Sequence, residues 1–147
     1  MHRTGLLQLL KAHQPYDAHE MMMRQRIIDF VEANSLCFER TLTIGHITAS
    51  ALIVNKQRTH TLMTHHHKLE KWLQLGGHSD GDPDQLNVAS RDAEEESGIK
   101  EIIPISRHIF DVDVHPIPAR NDEPEHFHYD IRFLFEADDA QDLIMSA

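Results

Sequence analysis

The sequence predicts an α+β layered fold, with strands gathered around one long helix and further helices outside them. Three observations carry that prediction. Residues 1–40 space their apolar side chains as helices do, and the chain from Thr43 onward shows strand-like runs. The strongest helix signals fall between two groups of strands, over residues 83–97. With 147 residues, 40% hydrophobic and 26% charged, the chain has the size and composition of one globular domain with one core.

Thr4 is placed to cap a short helix over Gly5–Ala12, stopped near Pro15. Its L-L-Q-L-L run reads as core packing. Asp17 with Glu20 marks a second helix start, followed by Met23, Ile27, Phe30, Val31 and Asn34 at helical spacing. Met21 to Met23 read as flexible core filler. Residues 1–40 thus form an N-terminal helical extension ahead of a main domain over 41–147. Such an extension suits a lid or an oligomerisation element, for example in a homodimer.

From Thr43, T-I-G-H-I-T-A-S-A-L-I-V-N is β-rich and ends at the polar turn Asn55–Arg58. A second strand is expected over Thr59–His66 and a third over Trp72–Leu75, joined through His67 to Lys71. Ile102–His115 reads as a strand or a pair, with Pro104 near its start. Phe127–Glu136 alternates, with Tyr129, Ile131, Phe133 and Phe135 on one face.

The central helix is expected over Pro83–Ser97. Asp82 is a good N-cap, Pro83 suits the first helical position, and Gln85 can close a capping box. Gly98 sits where a helix ends in a left-handed residue. Leu86, Ala89 and Ala93 make an apolar stripe. Asp92, Glu95 and Glu96 stand at i, i+3 and i+4, so three carboxylates share one face and repel one another unless a cation sits there. Oxygen ligands of this kind suit Mg²⁺ or Mn²⁺, ions that commonly work beside phosphate. Arg91 adjoins the carboxylates and could hold one through a bidentate ion pair. The bland reading of this helix is a solvated acidic face with good caps.

Residues 76–99 read G-G-H-S-D-G-D-P-D-Q-L-N-V-A-S-R-D-A-E-E-E-S-G-I. The run resembles the Nudix box, G-x5-E-x7-R-E-U-x-E-E-x-G-U, where U is a bulky aliphatic residue. Set at Gly77, the box finds Arg91, Glu95, Glu96, Gly98 and Ile99 on its fixed positions. Pro83 stands in place of the first glutamate, Asp92 in place of the glutamate after the arginine, and Ala93 in place of an aliphatic residue. The segments H-K-L-E-K-W-L-Q-L-G-G-H-S-D-G-D-P-D, H-P-I-P-A-R and H-F-H-Y-D are similar to one bacterial-looking subgroup of the family.

The resemblance implies a Nudix-type α/β/α sandwich with a mixed sheet over about Leu42–Glu136, with the N-terminal helical segment added. It implies catalytic roles for Glu95, Glu96 and Arg91. It also implies that the Gly76 carbonyl, Asp92, Glu95 and Glu96 hold Mg²⁺ or Mn²⁺. The reaction would be hydrolysis of the pyrophosphate bond in a nucleoside diphosphate linked to another moiety. The two altered box carboxylates leave room for a catalytically impaired Nudix-like sensor that binds a nucleotide without cleaving it. A metal-dependent isomerase on this fold would need a cysteine beside a carboxylate in the cleft, and Cys37 lies outside the sheet segments.

A net charge of −10 argues against a nucleic-acid polymer or an anionic membrane as partner. The apolar run near the N-terminus is too short to span a membrane and lacks a small-residue cleavage site. The lone Cys37 cannot form an intrachain disulfide, which points to a reducing cytoplasm. Its expected role is a small buried hydrophobe at a helix end.

Thirteen histidines are many for this length. His65, His66 and His67 end a strand, His78 lies inside the box loop, and His115, His126 and His128 flank the loop from Pro116 to Glu125. His46 lies in G-H-I-T-A-S, and in a sheet protein these could converge on a cleft. H-F-H puts His126 and His128 on the same side of one strand, as a pair of transition-metal ligands or as donors to phosphate. His78, Arg120, Glu123, His126 and His128 are therefore candidates for substrate contact. Glu123 and Glu125 are candidates for an extra carboxylate, base or ligand, supplied from outside the box. Surface or strand-edge histidines and a solvated loop are the bland alternatives.

Overall fold

The computed structural model describes residues 2–66 and 71–140. The expected connection through His67 to Lys71 falls largely outside these residues. The elements in order are α1 (Thr4–Ala12), α2 (Ala18–Ala33), β1 (Gly45–Val54), β2 (Thr61–Leu62), β3 (Thr64–His66), β4 (Lys71–Leu73), β5 (Leu75–His78), α3 (Gln85–Ser97), β6 (Ile103–Pro104), β7 (Asp111–Ile117) and β8 (His126–Glu136). No described helix is long and apolar enough to cross a membrane.

The long strands β1 and β8 pair in parallel and form the spine of a mixed sheet. β2 and β5 pair with β1, and β6 and β7 with β8, all antiparallel. β3 and β4 form a separate two-stranded ribbon. Helices on a mixed sheet were the expected architecture, and they match the Nudix sandwich. The Ile102–His115 segment, read as a strand or a pair, is the pair β6 and β7. Two sequence expectations shift. The strand expected over Thr59–His66 is split into β2 and β3. Gly76, Gly77 and His78, expected in a loop, lie on β5, whose backbone pairs with β1 from Thr48 to Ala51.

Register explains the core. Ile47, Ala49, Ala51 and Ile53 stand beside Tyr129, Ile131, Phe133 and Phe135, and alternation sends all of them to one face. That apolar face is buried, at about 1.5–3 kcal/mol for each large side chain removed from water. Phe30 of α2 stacks on Tyr129 with centroids 3.9 Å apart, so α2 lies on this face. Gly77 stands opposite Ala49, and a Cβ there would meet Asp92 Oδ2 at 2.7 Å, so α3 lies on it too. The described residues thus build the sheet and a helical layer on its apolar side. The other face carries His46, Thr48 and Ser50 beside His128, Asp130 and Arg132. It is polar.

The N-terminal helices share the core. Leu6, Leu10, Ile27 and Val31 join the cluster of β1 and β8, and Met23 is buried. Met21 and Met22 are exposed, so only the third methionine fills core. Asp17 caps α2 by accepting from Glu20 N, as expected. Glu20 bonds back to Tyr16 N at 2.7 Å and meets His13 Nε2 at 2.6 Å. His13 Nδ1 lies 3.1 Å from Ile109 O, tying the helical segment to the approach to β7. Thr4 is the first residue of α1 rather than its cap: the cap position is Arg3, which makes no capping side-chain bond. Nothing stands within 4 Å of a Cβ built on Gly5 inside α1. Gly5→Ala is therefore expected to raise stability by about 0.5 kcal/mol, read as a higher urea midpoint at unchanged slope.

Cys37 is fully buried in the turn after α2, and burial pushes its thiol up to about 11. Native protein is expected to resist thiol reagents at pH 8 while unfolded protein reacts at once. Fast reaction of the native form would place the thiol at the surface.

Candidate functional site

The helix that carries the box starts later than its sequence suggested. α3 begins at Gln85, and its N-cap is Asp84, which accepts from Asn87 N. Asp82 instead organises the turn before it, accepting from Asp84 N at 2.9 Å and Asn87 Nδ2 at 3.1 Å. Pro83 therefore precedes the helix. Gln85 closes no capping box; it is buried, accepts from Ser79 Oγ at 2.6 Å and donates to Asp82 O at 2.8 Å. The competing interaction was a loop tied down by side chains, not by the helix end. Val88, Ala89 and Ala93 form the buried stripe and Leu86 packs at its margin. Gly98 ends the helix at φ 75°, its N–H bonded to Glu94 O.

The loop before α3 is pinned from the other side. Gly81 N donates to Phe38 O at 2.9 Å, and Arg40 grips Asp80 through two bonds of 2.7 and 2.8 Å. This is the bidentate arginine of the region. Arg91, expected in that role, is half-exposed and reaches Asp92 only at 3.9 Å and Asp82 at 3.7 Å.

The acidic face is disposed unevenly. Asp92 and Glu96 are half-buried against β5, while Glu95 is exposed. Glu96 takes a hydrogen bond from the Gly76 backbone, and Gly77 leaves the space that Asp92 occupies. Burial pushes Glu96 up to about 7; the charges of Asp92 and Glu95 add to this, and the Gly76 bond opposes it. Asp92 is raised as well, by burial first, with Arg91 opposing. The cations nearby are too weakly placed to balance this group. Two half-buried carboxylates whose ionisation burial opposes, Asp92 and Glu96, with Glu95 beside them and the glycines of β5 against them, fit a hard divalent cation.

On the opposite face of the sheet the histidines converge. The rings of His46, His78 and His128 lie 4.9 to 5.1 Å apart between centroids. His126 lies 5.2 Å from His128 and 5.1 Å from His46, and His115 lies 5.7 Å from His128. Strand pairing causes this: His46 is the parallel partner of His128, His115 is its antiparallel partner, and His78 pairs one step along from His46, with Thr48. Burial, then the charge of Arg40, pushes His78 down to about 4; burial, then the neighbouring histidines, pushes His128 down to about 3. His46 is lowered by burial and by His126. All three are neutral imidazoles at pH 7.

Two clefts meet at this cluster. One, of about 500 Å³, runs over Thr48, Ser50, Gly76, His115, Asp130 and Arg132 toward Trp72 of β4. The other, of about 310 Å³, lies under Arg40, Glu123, Pro124 and His126. His78 and His128 line both.

The structure brings His78, His126 and His128 together, and sets Asp92, Glu96 and Gly76 together across β5 from them. Glu123 lines the second cleft, while Arg120 is exposed on the turn that Glu123 closes through paired backbone bonds of 2.8 and 2.9 Å. Glu125 is exposed. Sequence reasoning missed Asp130, which is buried and held by Thr48 Oγ1, Ser50 Oγ and Arg132 Nε at 2.9 Å each. Arg132 also bonds Asp111 at 2.9 Å. Burial raises Asp130, with Arg132 opposing. The signal was in the alternation of H-F-H-Y-D-I-R: its even-numbered residues form the polar face. His46 was noted but not assigned, because its proximity depends on the parallel pairing of β1 with β8.

No protein-family model and no curated protein sequence matches the chain. Several solved structures do resemble it. The E. coli dihydroneopterin triphosphate pyrophosphohydrolase superposes with a TM-score of 0.51 at 12% identity, over 68% of this chain and 73% of that one. The C. elegans Ap4A hydrolase gives 0.47 at 18% identity, over 68% and 74%. A Nudix hydrolase from M. smegmatis gives 0.49 at 16%, over 70% and 66%. The likeness is one of fold, and the fold is that of the Nudix hydrolases.

Proposed function

We propose that the chain is a metal-dependent pyrophosphohydrolase acting on a nucleoside diphosphate linked to another moiety. One observation carries the reading: Asp92 and Glu96 are half-buried against Gly76 and Gly77, and among the described residues only Arg91, 3.9 Å from Asp92, stands as a cation against them. This occurs on the Nudix fold, at the helix carrying the box. Glu96, Asp92 and Glu95 would hold Mg²⁺ or Mn²⁺. The Gly76 carbonyl is assigned as a further ligand, on the strand that already bonds Glu96. When bound, the ion lowers the pKa of the attacking water and neutralises charge on phosphoryl oxygens.

The residues have distinct tasks. Glu96 and Asp92 face Gly76 and Gly77 of β5; Arg91 steadies Asp92 from the rim. Arg40 and Asp80 hold the loop before α3, so the carboxylates meet β5 in fixed register. Glu123 lines the cleft beside His126 and is assigned as the extra carboxylate. Arg120, His78, His126 and His128 are assigned to substrate phosphate or its surroundings. On this reading residues 1–40 are an extension to a domain over 41–147, serving as a lid or as the contact of a homodimer, in a cytoplasmic protein.

The test is a panel of ADP-ribose, nucleotide sugars, dinucleoside polyphosphates, CDP-alcohols and nucleoside triphosphates with Mg²⁺ or Mn²⁺. Products are identified by mass spectrometry beside Glu96→Gln. Cleavage at a pyrophosphate, lost in the variant, is the expected outcome. Nucleotide binding without turnover would establish a sensor instead. The change of the box glutamate to the shorter Asp92 favours that second reading.

A further inference from the structure

We propose that His46, His78 and His128 form a second metal site, specific for a divalent transition ion such as Zn²⁺ or Co²⁺ and separate from the carboxylates of α3. Ligand-capable atoms of the three side chains all lie within 4.8 Å of one another. A tetrahedral site with metal–nitrogen bonds near 2.0–2.1 Å needs about 3.3 Å between donors, which modest ring rotations supply.

The hydrogen-bond inventory separates His46 and His128 from the buried His13. His46 is 5% exposed, and neither ring nitrogen makes a hydrogen bond. The Leu42 backbone lies near enough to favour its protonated form, yet no bond of proper geometry forms. His128 Nε2 is likewise buried without a partner. Buried polar atoms are satisfied in nearly all folded proteins, and an unaccompanied pair aimed at one point calls for an ion or water. By contrast His13, buried in the helical segment, has both nitrogens engaged, by Glu20 and Ile109.

Imidazole selects borderline ions, whereas the oxygen-only set on α3 selects Mg²⁺ or Mn²⁺. Two different donor sets therefore lie on opposite faces of β5. Gly77 faces Asp92 on the helix side, and His78, the next residue, turns to the histidines. The surroundings resemble a second shell. His126 Nδ1 is fixed by Pro124 O at 2.9 Å and His115 Nδ1 by Asp113 at 3.1 Å, leaving their other nitrogens near the cluster. Three histidines leave a fourth position, and His78 and His128 line both clefts, so that position opens to solvent and ligand. The proposal does not rest on the hydrolase reading.

Untagged full-length protein, stripped of metal, would be titrated with Co²⁺ and followed by visible absorption, with Zn²⁺ as competitor. One equivalent of Co²⁺ with the intense bands of a four-coordinate nitrogen site, displaced by Zn²⁺, is expected. His78→Ala, on an edge strand, and His128→Asn should each weaken binding more than about 100-fold, beyond the 10–100-fold cost of losing an outer-shell partner. Glu96→Gln should leave the bands unchanged. Circular dichroism would establish that each variant is folded, and a variant that does not fold is set aside in favour of the other. Absence of the bands overturns the proposal. So does binding lost in Glu96→Gln or undiminished in both folded histidine variants.

Discussion

Glu96→Gln is expected to leave the fold intact and lower turnover at least about 100-fold, the scale of losing one preorganised electrostatic contact. The substitution keeps shape and the capacity to accept from the Gly76 backbone but deletes the charge. Glu96 differs from Glu95 in being half-buried, with its ionisation opposed by burial and by its acidic neighbours. Its carboxyl sits at about 7, above the ordinary glutamate value, so metal-free native protein binds the extra proton. Its contribution to stability is complete below the unfolded value of 4.5 and is lost as pH rises through 7. At pH 8 the metal-free variant should therefore melt no lower than the parent. Mg²⁺ should raise the melting temperature of the parent and raise that of the variant much less. Undiminished turnover would remove Glu96 from the site, whatever the substrate.

Local signals carried much of this far. Alternation placed Tyr129, Ile131, Phe133 and Phe135 on one face, and all but the partly buried Tyr129 are fully buried. The cap at Asp17 and the glycine end at Gly98 were equally legible, because each is decided within four residues. The start of α3 was not. Asp82, Pro83 and Asp84 offer two caps in competition, and the choice fell to Ser79, Gln85 and the Arg40–Asp80 pair, contacts made between distant segments. Likewise the box residues located the acidic face, but its division into half-buried Asp92 and Glu96 and exposed Glu95 depends on where β5 lies. The sequence let the histidines converge on a cleft, but which of them meet, His46 with His128 and His78 above all, was set by three strand pairings at once. Asp130 was readable as a polar residue on the far side of β8, yet its burial follows from Thr48, Ser50 and Arg132.

Gly76→Ala is the second large effect, and it joins fold to site. A Cβ at Gly76 would stand 2.3 Å from Ala49 O and 2.6 Å from Ser50 Cα, both backbone atoms of the central strand β1. No rotamer relieves such contacts, and φ at +155° already disfavours a side chain. Either β5 separates from β1 or the two strands shift together. Backbone strain and overpacking, at about 1–3 kcal/mol each, combine to a loss of about 3 kcal/mol or more. The displacement also reaches the chemistry, because Gly76 bonds Glu96 and His78 follows two residues later on the same strand. The variant should thus lose Mg²⁺-dependent stabilisation and the four-coordinate Co²⁺ bands together, while Glu96→Gln loses only the first. Chemical denaturation and the two metal titrations on one preparation decide the matter. A variant as stable as the parent, with both metal responses intact, would mean that β5 does not couple the two faces of the sheet.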